Sequence, residues 1–238
     1  MPSTSKTPVV VARTSAPGGS SPTEQQRAIV HVRTLPLYQQ SIVACQQKRY
    51  RDAANLLARL AKQPDLSPAE ITFVRQQQLL CLNDAGLSAS KLILTSYHST
   101  TSLSSAAKVD LASADCGPRA LALVCKRLGV ETDVATLRLK AGTTGQGTSM
   151  AGLANAAKSL GLKTEGVQVS REALREVHLP AIGYVNGTHF VEVIALNGNS
   201  SGEEATATIH DPNLPTEQTI SQERLLRLTS GYLLSVWK

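Results

Sequence analysis

Aromatic side chains are nearly missing from this chain: two Phe, one Trp and five Tyr in 238 residues. Core volume must therefore come from Leu, Val and Ala, and few rings are available on which nucleic-acid bases could stack. Cysteine is sparse too, at positions 45, 81, 116 and 125. These form no CxxC pair and show none of the dense spacing of a secreted disulfide framework, so reduced thiols are expected. No two ligand types fall at zinc-binding spacing, and the glycines of residues 142–147 are not followed by the Gly-Lys-Ser/Thr of a phosphate cradle. Neither a metal nor a cofactor is implied. No apolar run approaches the length of a membrane span.

What charge there is divides unevenly. Residues 1–109 carry 12 Lys and Arg against 5 Asp and Glu, whereas residues 110–238 carry 12 against 13. The basic excess is scattered rather than gathered into a patch, which with the lack of aromatics argues against a nucleic-acid partner. Residues 1–33 are rich in Ser, Thr and Pro without sustained periodicity and are expected to be disordered. Their Arg- and Ser-rich, acid-poor start is like an organelle transit peptide. A cytoplasmic location is the expectation, with export the outcome if a signal has been removed.

Helical periodicity begins at Leu35. Tyr38, Ile42 and Cys45, then Tyr50, Ala53, Ala54, Leu57 and Leu60, mark two amphipathic helices, and Ile71, Val74, Leu79, Leu80 and Leu82 mark a third after Ser67-Pro68. The stretch from Ala44 to Ala54 is similar to one tetratricopeptide-type helix pair, although such repeats usually need three copies to stand alone. Residues 34–87 are read either as a docking surface for a peptide or protein partner or as a helical cap on the next domain, and the cap is favoured. Residues 88–109 read as a Ser- and Thr-rich linker in which Lys91 to Leu94 could pair as a short strand.

The remainder, residues 110–238, opens on Asp115-Cys116-Gly117-Pro118. After it, Leu121, Val124, Cys125 and Leu128 recur at one-faced helical spacing, Pro118 suits a first turn, and Gly129 suits a left-handed stop. A thiol at that N-terminus meets unpaired backbone N–H groups and the helix dipole, which predicts a lowered pKa for Cys116. Cys125, nine residues on, reads as core. Asp133 and Ser149 cap further helices, a mobile glycine-rich loop lies between them, and Val167 with Val169 suggests a strand. A short helix is expected over residues 170–176. Asn186-Gly187 between two apolar runs is a hairpin signal, and residues 205–210 and 232–237 supply two more strands around a helix at 222–228. Helices followed by an antiparallel sheet define an α+β fold.

A reactive thiol needs a base, and the base needs a group to hold its tautomer. His189 starts a strand and Asp211 ends the next, so adjacent antiparallel strands could bring them together. His210 is the rival base, but as a strand neighbour of Asp211 it should face the opposite side. His31 and His98 fall in the expected tail and linker, and His178 precedes a Leu-Pro strand entry.

Four stretches taken together resemble a known family: DCGPRALALVCKRLG from Asp115, TSMAGLANAAKSLGL from Thr148, LPAIGYVNGTHFVEVIAL from Leu179, and IHDP from Ile209. In order and spacing they are similar to the papain-like cysteine peptidases that process bacteriocin precursors at double-glycine leaders. The resemblance covers about residues 110–238. It implies a papain-like fold with Cys116 as nucleophile, His189 as general base and acid, and Asp211 as orienting residue. It also implies that the region before Ser149 and the Gly152-Leu153 helix border the substrate cleft.

Two positions depart from that family. A glutamine six residues before the cysteine usually helps bind the oxyanion, and here the position is Asp110, an acceptor when ionised. No glutamine occurs between Gln78 and Gln146; the backbone N–H of Cys116 remains available to the oxyanion, and either another group donates, or the enzyme is slow, or the domain is inactive. Asn213-Leu214-Pro215 stands where the family tends to turn on a glycine. The expected activity is hydrolysis of a peptide bond through a thioester at Cys116, with a peptide or protein substrate, such as a leader segment, and a preference for small residues. The alternatives are a peptidase-like peptide-binding module that is weak or inactive, and an acyl or amide transferase on the same scaffold.

Overall fold

A computed structural model describes residues 12–13, 23–87, 114–145, 147–198 and 205–238. The expected linker, the expected strand at Lys91 to Leu94, His98 and Asp110 lie outside the described residues. Four helices form the front of the molecule: α1 (Glu24–Thr34), α2 (Pro36–Gln46), α3 (Tyr50–Leu60) and α4 (Pro68–Asp84). Two of them start on a capping box, Thr23 with Gln26 and Ser67 with Glu70, in which each side chain satisfies the other residue's backbone N–H. Pro36 and Pro68 occupy first-turn positions where no N–H is needed.

Helix α1 corrects the sequence expectation of disorder through residue 33. The Thr23-x-x-Gln26 box is legible in the sequence, and Ala28 and Val32 are buried. What makes so polar a segment worth ordering is tertiary, because Val32 joins a core built from Tyr38, Cys45, Leu57, Leu60, Phe73 and Val74. The periodic positions expected inside are buried or half-buried except Leu79, which is 45% exposed.

Behind this front lies a seven-stranded antiparallel sheet in the order β1-β2-β7-β3-β4-β5-β6. Its strands are β1 (Ala12–Arg13), β2 (Lys163–Gln168), β3 (Ala181–Val185), β4 (His189–Asn197), β5 (Thr206–His210), β6 (Gln218–Ser221) and β7 (Tyr232–Trp237). Asn186 and Gly187 both have positive φ, 52° and 69°, within a three-residue connection, 186–188, in which the Thr188 N–H donates back to Val185 O at 3.1 Å. That turn sets Val185 opposite His189 and Gly183 opposite Val191. Strand β6 has no sequence counterpart, since Gln218–Ser221 is half-exposed and polar and pairs at the sheet edge with β5. The short helix expected from residue 170 is a single 3₁₀ turn, Ala173–Glu176.

Three helices fill the space between front and sheet: α5 (Cys116–Arg127), α6 (Val134–Ala141) and α7 (Met150–Lys158); α8 (Gln222–Thr229) packs near β3. The apolar stripe of α5, including Ala120, Leu121, Val124 and Cys125, packs on Ile182, Phe190 and Leu234 of the sheet. Helix α6 is buried on both sides. Its Leu137 belongs to the sheet-side core, while Leu139 belongs to the core of the front helices.

The front also satisfies the carbonyls left over at the end of α6, as a buried helix end requires. Tyr38 donates its hydroxyl to Leu139 O at 3.0 Å, Arg33 donates to Lys140 O, and just beyond the helix Gln77 donates to Thr143 O. Among the described residues no helix is long and apolar enough to cross a membrane.

Candidate active site

Cys116 opens α5 and is 3% exposed. The backbone N–H groups of Gly117 and of Phe190, the second residue of β4, direct hydrogen bonds at its thiol. Both favour thiolate, in line with the sequence expectation. Burial nevertheless wins and pushes the Cys116 thiol above its ordinary pKa, with the carboxylates of Asp115 and Asp211 adding to the rise. The expected lowering is thus corrected: the donors at the helix end are present, but so is a dry environment that disfavours a second negative charge.

The approach of β4 to α5 depends on Gly117. A Cβ there would lie 3.1 Å from both Phe190 Cδ2 and Thr148 Cβ, tighter than ordinary packing. Cys125 is fully buried in the α5 stripe, as expected, and burial raises its pKa to about 11.

His189 and Asp211 meet as the strand argument anticipates. The imidazole Nε2 lies 2.9 Å from Asp211 Oδ1, and each side chain is 24% exposed. With Nε2 occupied, Nδ1 is the ring nitrogen left for a reacting group. His210, opposite Glu192 in the β4–β5 register, faces elsewhere: its Nδ1 is 3.9 Å from Glu192 Oε2 and its Nε2 3.2 Å from Leu214 O. His31 pairs with Glu70, and the His178 ring lies 5.0 Å from that of Trp237.

Several supporting residues escaped sequence reasoning. Asn213, the departure after Asp-Pro, donates its backbone N–H to Asp211 Oδ1 at 2.8 Å and accepts at its side-chain oxygen from Arg119 Nη1 at 2.7 Å. Arg119 also donates to Pro212 O, so α5 grips the turn that carries Asp211. An arginine three residues after a buried cysteine gives no sign in sequence of what it reaches.

Asp115 is held by Arg138 through both oxygens, Nε to Oδ1 at 2.7 Å and Nη2 to Oδ2, and Arg138 Nη1 donates to Asp84 Oδ2 at 2.6 Å. Burial alone would lower the Arg138 pKa, but the two carboxylates raise it instead. The glycine-rich loop before Ser149 is pinned rather than mobile around Thr143. That residue is fully buried, and its hydroxyl lies 2.7 Å from that of Thr148, which borders Gly117.

A cysteine at the head of a helix, laid against an antiparallel sheet whose adjacent strands pair a histidine with an aspartate, is the arrangement of an α+β thiol-enzyme domain. The chain belongs to the peptidase C39 family, a family of cysteine peptidases, which matches residues 108–238. It is 36% identical over 124 residues to an uncharacterized protein of Methanothermobacter thermautotrophicus, covering 52% of this chain and 82% of that protein. It is 30% identical over 125 residues to the colicin V secretion/processing ATP-binding protein CvaB of Escherichia coli, covering 52% of this chain but 17% of the relative. Among solved structures, the peptidase domain of Streptococcus ComA, a bifunctional ABC transporter involved in quorum sensing, is 27% identical. It covers 52% of this chain and 91% of that domain, with a TM-score of 0.45.

Proposed function

We propose that this protein is a cysteine peptidase that cleaves a peptide bond through a thioester at Cys116, with His189 as general base and acid and Asp211 as the residue that orients the ring. The observation that carries the reading is the 2.9 Å contact of His189 Nε2 with Asp211, on strands whose Phe190 N–H reaches the Cys116 thiol.

Burial favours the Cys116 thiol with its proton on. His189 Nδ1 takes that proton as sulfur attacks the scissile carbonyl, and Asp211 stabilises the imidazolium. The imidazolium then gives the proton to the departing amine, leaving the acyl group on sulfur. Water attacks the thioester with His189 again as base, and release of the carboxylic acid restores the thiol. The backbone N–H of Cys116 serves the oxyanion. One missing donor of this kind costs on the order of a hundred- to a thousandfold in rate, so Asp110 in place of glutamine predicts a slow enzyme.

The substrate we propose is a leader or precursor segment with small residues at the cleavage point. CvaB and its like are named for secretion and processing. Incubation with peptides carrying a Gly-Gly site, read by mass spectrometry in the parent and in Cys116→Ala, tests the reading. Cleavage after the glycines that the substitution abolishes supports it. Tight binding without cleavage in the parent would favour the second reading, a peptide-binding module, for which Asp110 and the raised thiol pKa speak.

A further inference from the structure

Asp115 stands at the N-cap of α5, where an aspartate ordinarily turns its carboxylate onto the first backbone N–H groups of the helix. Here it makes no such bond. Both its oxygens are taken by the Arg138 guanidinium, and the third arm of that guanidinium ends on Asp84, at the last residue of α4. The cluster is enclosed: the side chains of Asp115, Arg138 and Asp84 are 10%, 5% and 18% exposed.

The geometry matters because of what a released Asp115 would find. Pro118, at the third helical position, has no N–H, so the nearest free-standing target is the Gly117 N–H, which now serves the Cys116 thiol. A carboxylate there would displace the thiol from its donor and bring a negative charge closer to it.

We propose that Asp84, contributed by the helical front, is a positioning residue for Cys116: through Arg138 it keeps the Asp115 carboxylate turned away from the N-terminus of α5. The front helices are then part of the reactive centre's support rather than a separate module. This rests on Cys116 being the reacting thiol. The charged groups facing it are Asp115 on its own side and Asp211 just past the end of β5, while Asp84 and Tyr50 face Arg138 and Asp133 faces Asp84.

Two substitutions in the full chain act in the same direction on the pH profile of Cys116 alkylation by iodoacetamide, read by peptide mass spectrometry. Arg138→Lys keeps the charge but loses the two-point grip, so Asp115 turns to Gly117 and the apparent pKa of Cys116 rises by about one unit. Asp84→Ala removes the anchor of the third arm, so Arg138 no longer fixes Asp115 and the apparent pKa rises by about half a unit, against the fall that loss of a negative charge alone would give. Leu57→Ala, a cavity in the front core far along the chain from this cluster, lowers Tm and leaves the profile in place. An Asp84→Ala profile that superimposes on the parent's or moves to lower pH overturns the proposal, whatever happens to Tm. The peptidase reading fails separately, if the Gly-Gly peptides stay uncut while the alkylation shifts are still seen.

Discussion

Arg119 donates from Nη1 to Asn213 Oδ1 across 2.7 Å, tying the first turn of the cysteine helix to the turn that begins at Asp211. Asn213 passes the constraint on through its backbone N–H to the same carboxylate oxygen that holds His189. Arg119→Ala is therefore expected to lower kcat on a cleaved peptide by about ten- to a hundredfold, because small displacements of a reacting group are costly. Tm should move little, since the Arg119–Asn213 contact is exposed. Equal kcat in parent and variant would show that the turn holds Asp211 unaided.

A methyl group at position 117 must push against Phe190 and Thr148. Gly117→Ala is predicted to cost about 1–3 kcal/mol of stability by overpacking and to slow Cys116 alkylation by separating the thiol from the Phe190 N–H. Thermal denaturation together with thiol labelling reads both effects in one preparation.

The Tyr38 hydroxyl links the helical front to α6 through Leu139 O. Tyr38→Phe should lose about 1–2 kcal/mol, the typical cost of a buried bond left unmade. Because Leu139 is also part of the front core, a single urea transition is expected, shifted to lower midpoint. Two separated transitions would mean that front and sheet unfold independently.

Burial raises the folded-state pKa of Cys125 to about 11 from an ordinary value near 9. For a thiol, a raised folded pKa means that its stabilising contribution is intact below the unfolded value and is lost as pH climbs to the folded one. Stability should thus fall by about 2–3 kcal/mol between pH 9 and 11 from this group alone. Cys125→Ala should flatten that alkaline limb, which denaturant titrations at pH 8, 9.5 and 11 would reveal; an unchanged slope contradicts the assignment.

How much of this was legible beforehand differs by element. Local chemistry placed α2 to α5, the Asn186-Gly187 hairpin and the strand ends that carry His189 and Asp211, because caps, turn residues and periodicity act within a few positions of the chain. The same local reasoning erred at the Cys116 thiol, where it counted the N–H donors of the helix end and had no access to burial. It erred at α1 as well, where the capping box was present but the core that rewards ordering Val32 comes from residues far along the chain.

The sequence by itself determined that a cysteine begins a buried helix, that a histidine and an aspartate terminate neighbouring strands, and that residues 35–87 are helical. Tertiary structure alone decided that α6 is shared between two cores, that Arg138 gathers Asp84 and Asp115, and that Arg119 meets Asn213. The physical reason is that hydrogen bonds and ion pairs between residues 54 or 94 positions apart leave no periodicity behind them. They depend on where packing brings the side chains, and packing is a property of the whole chain.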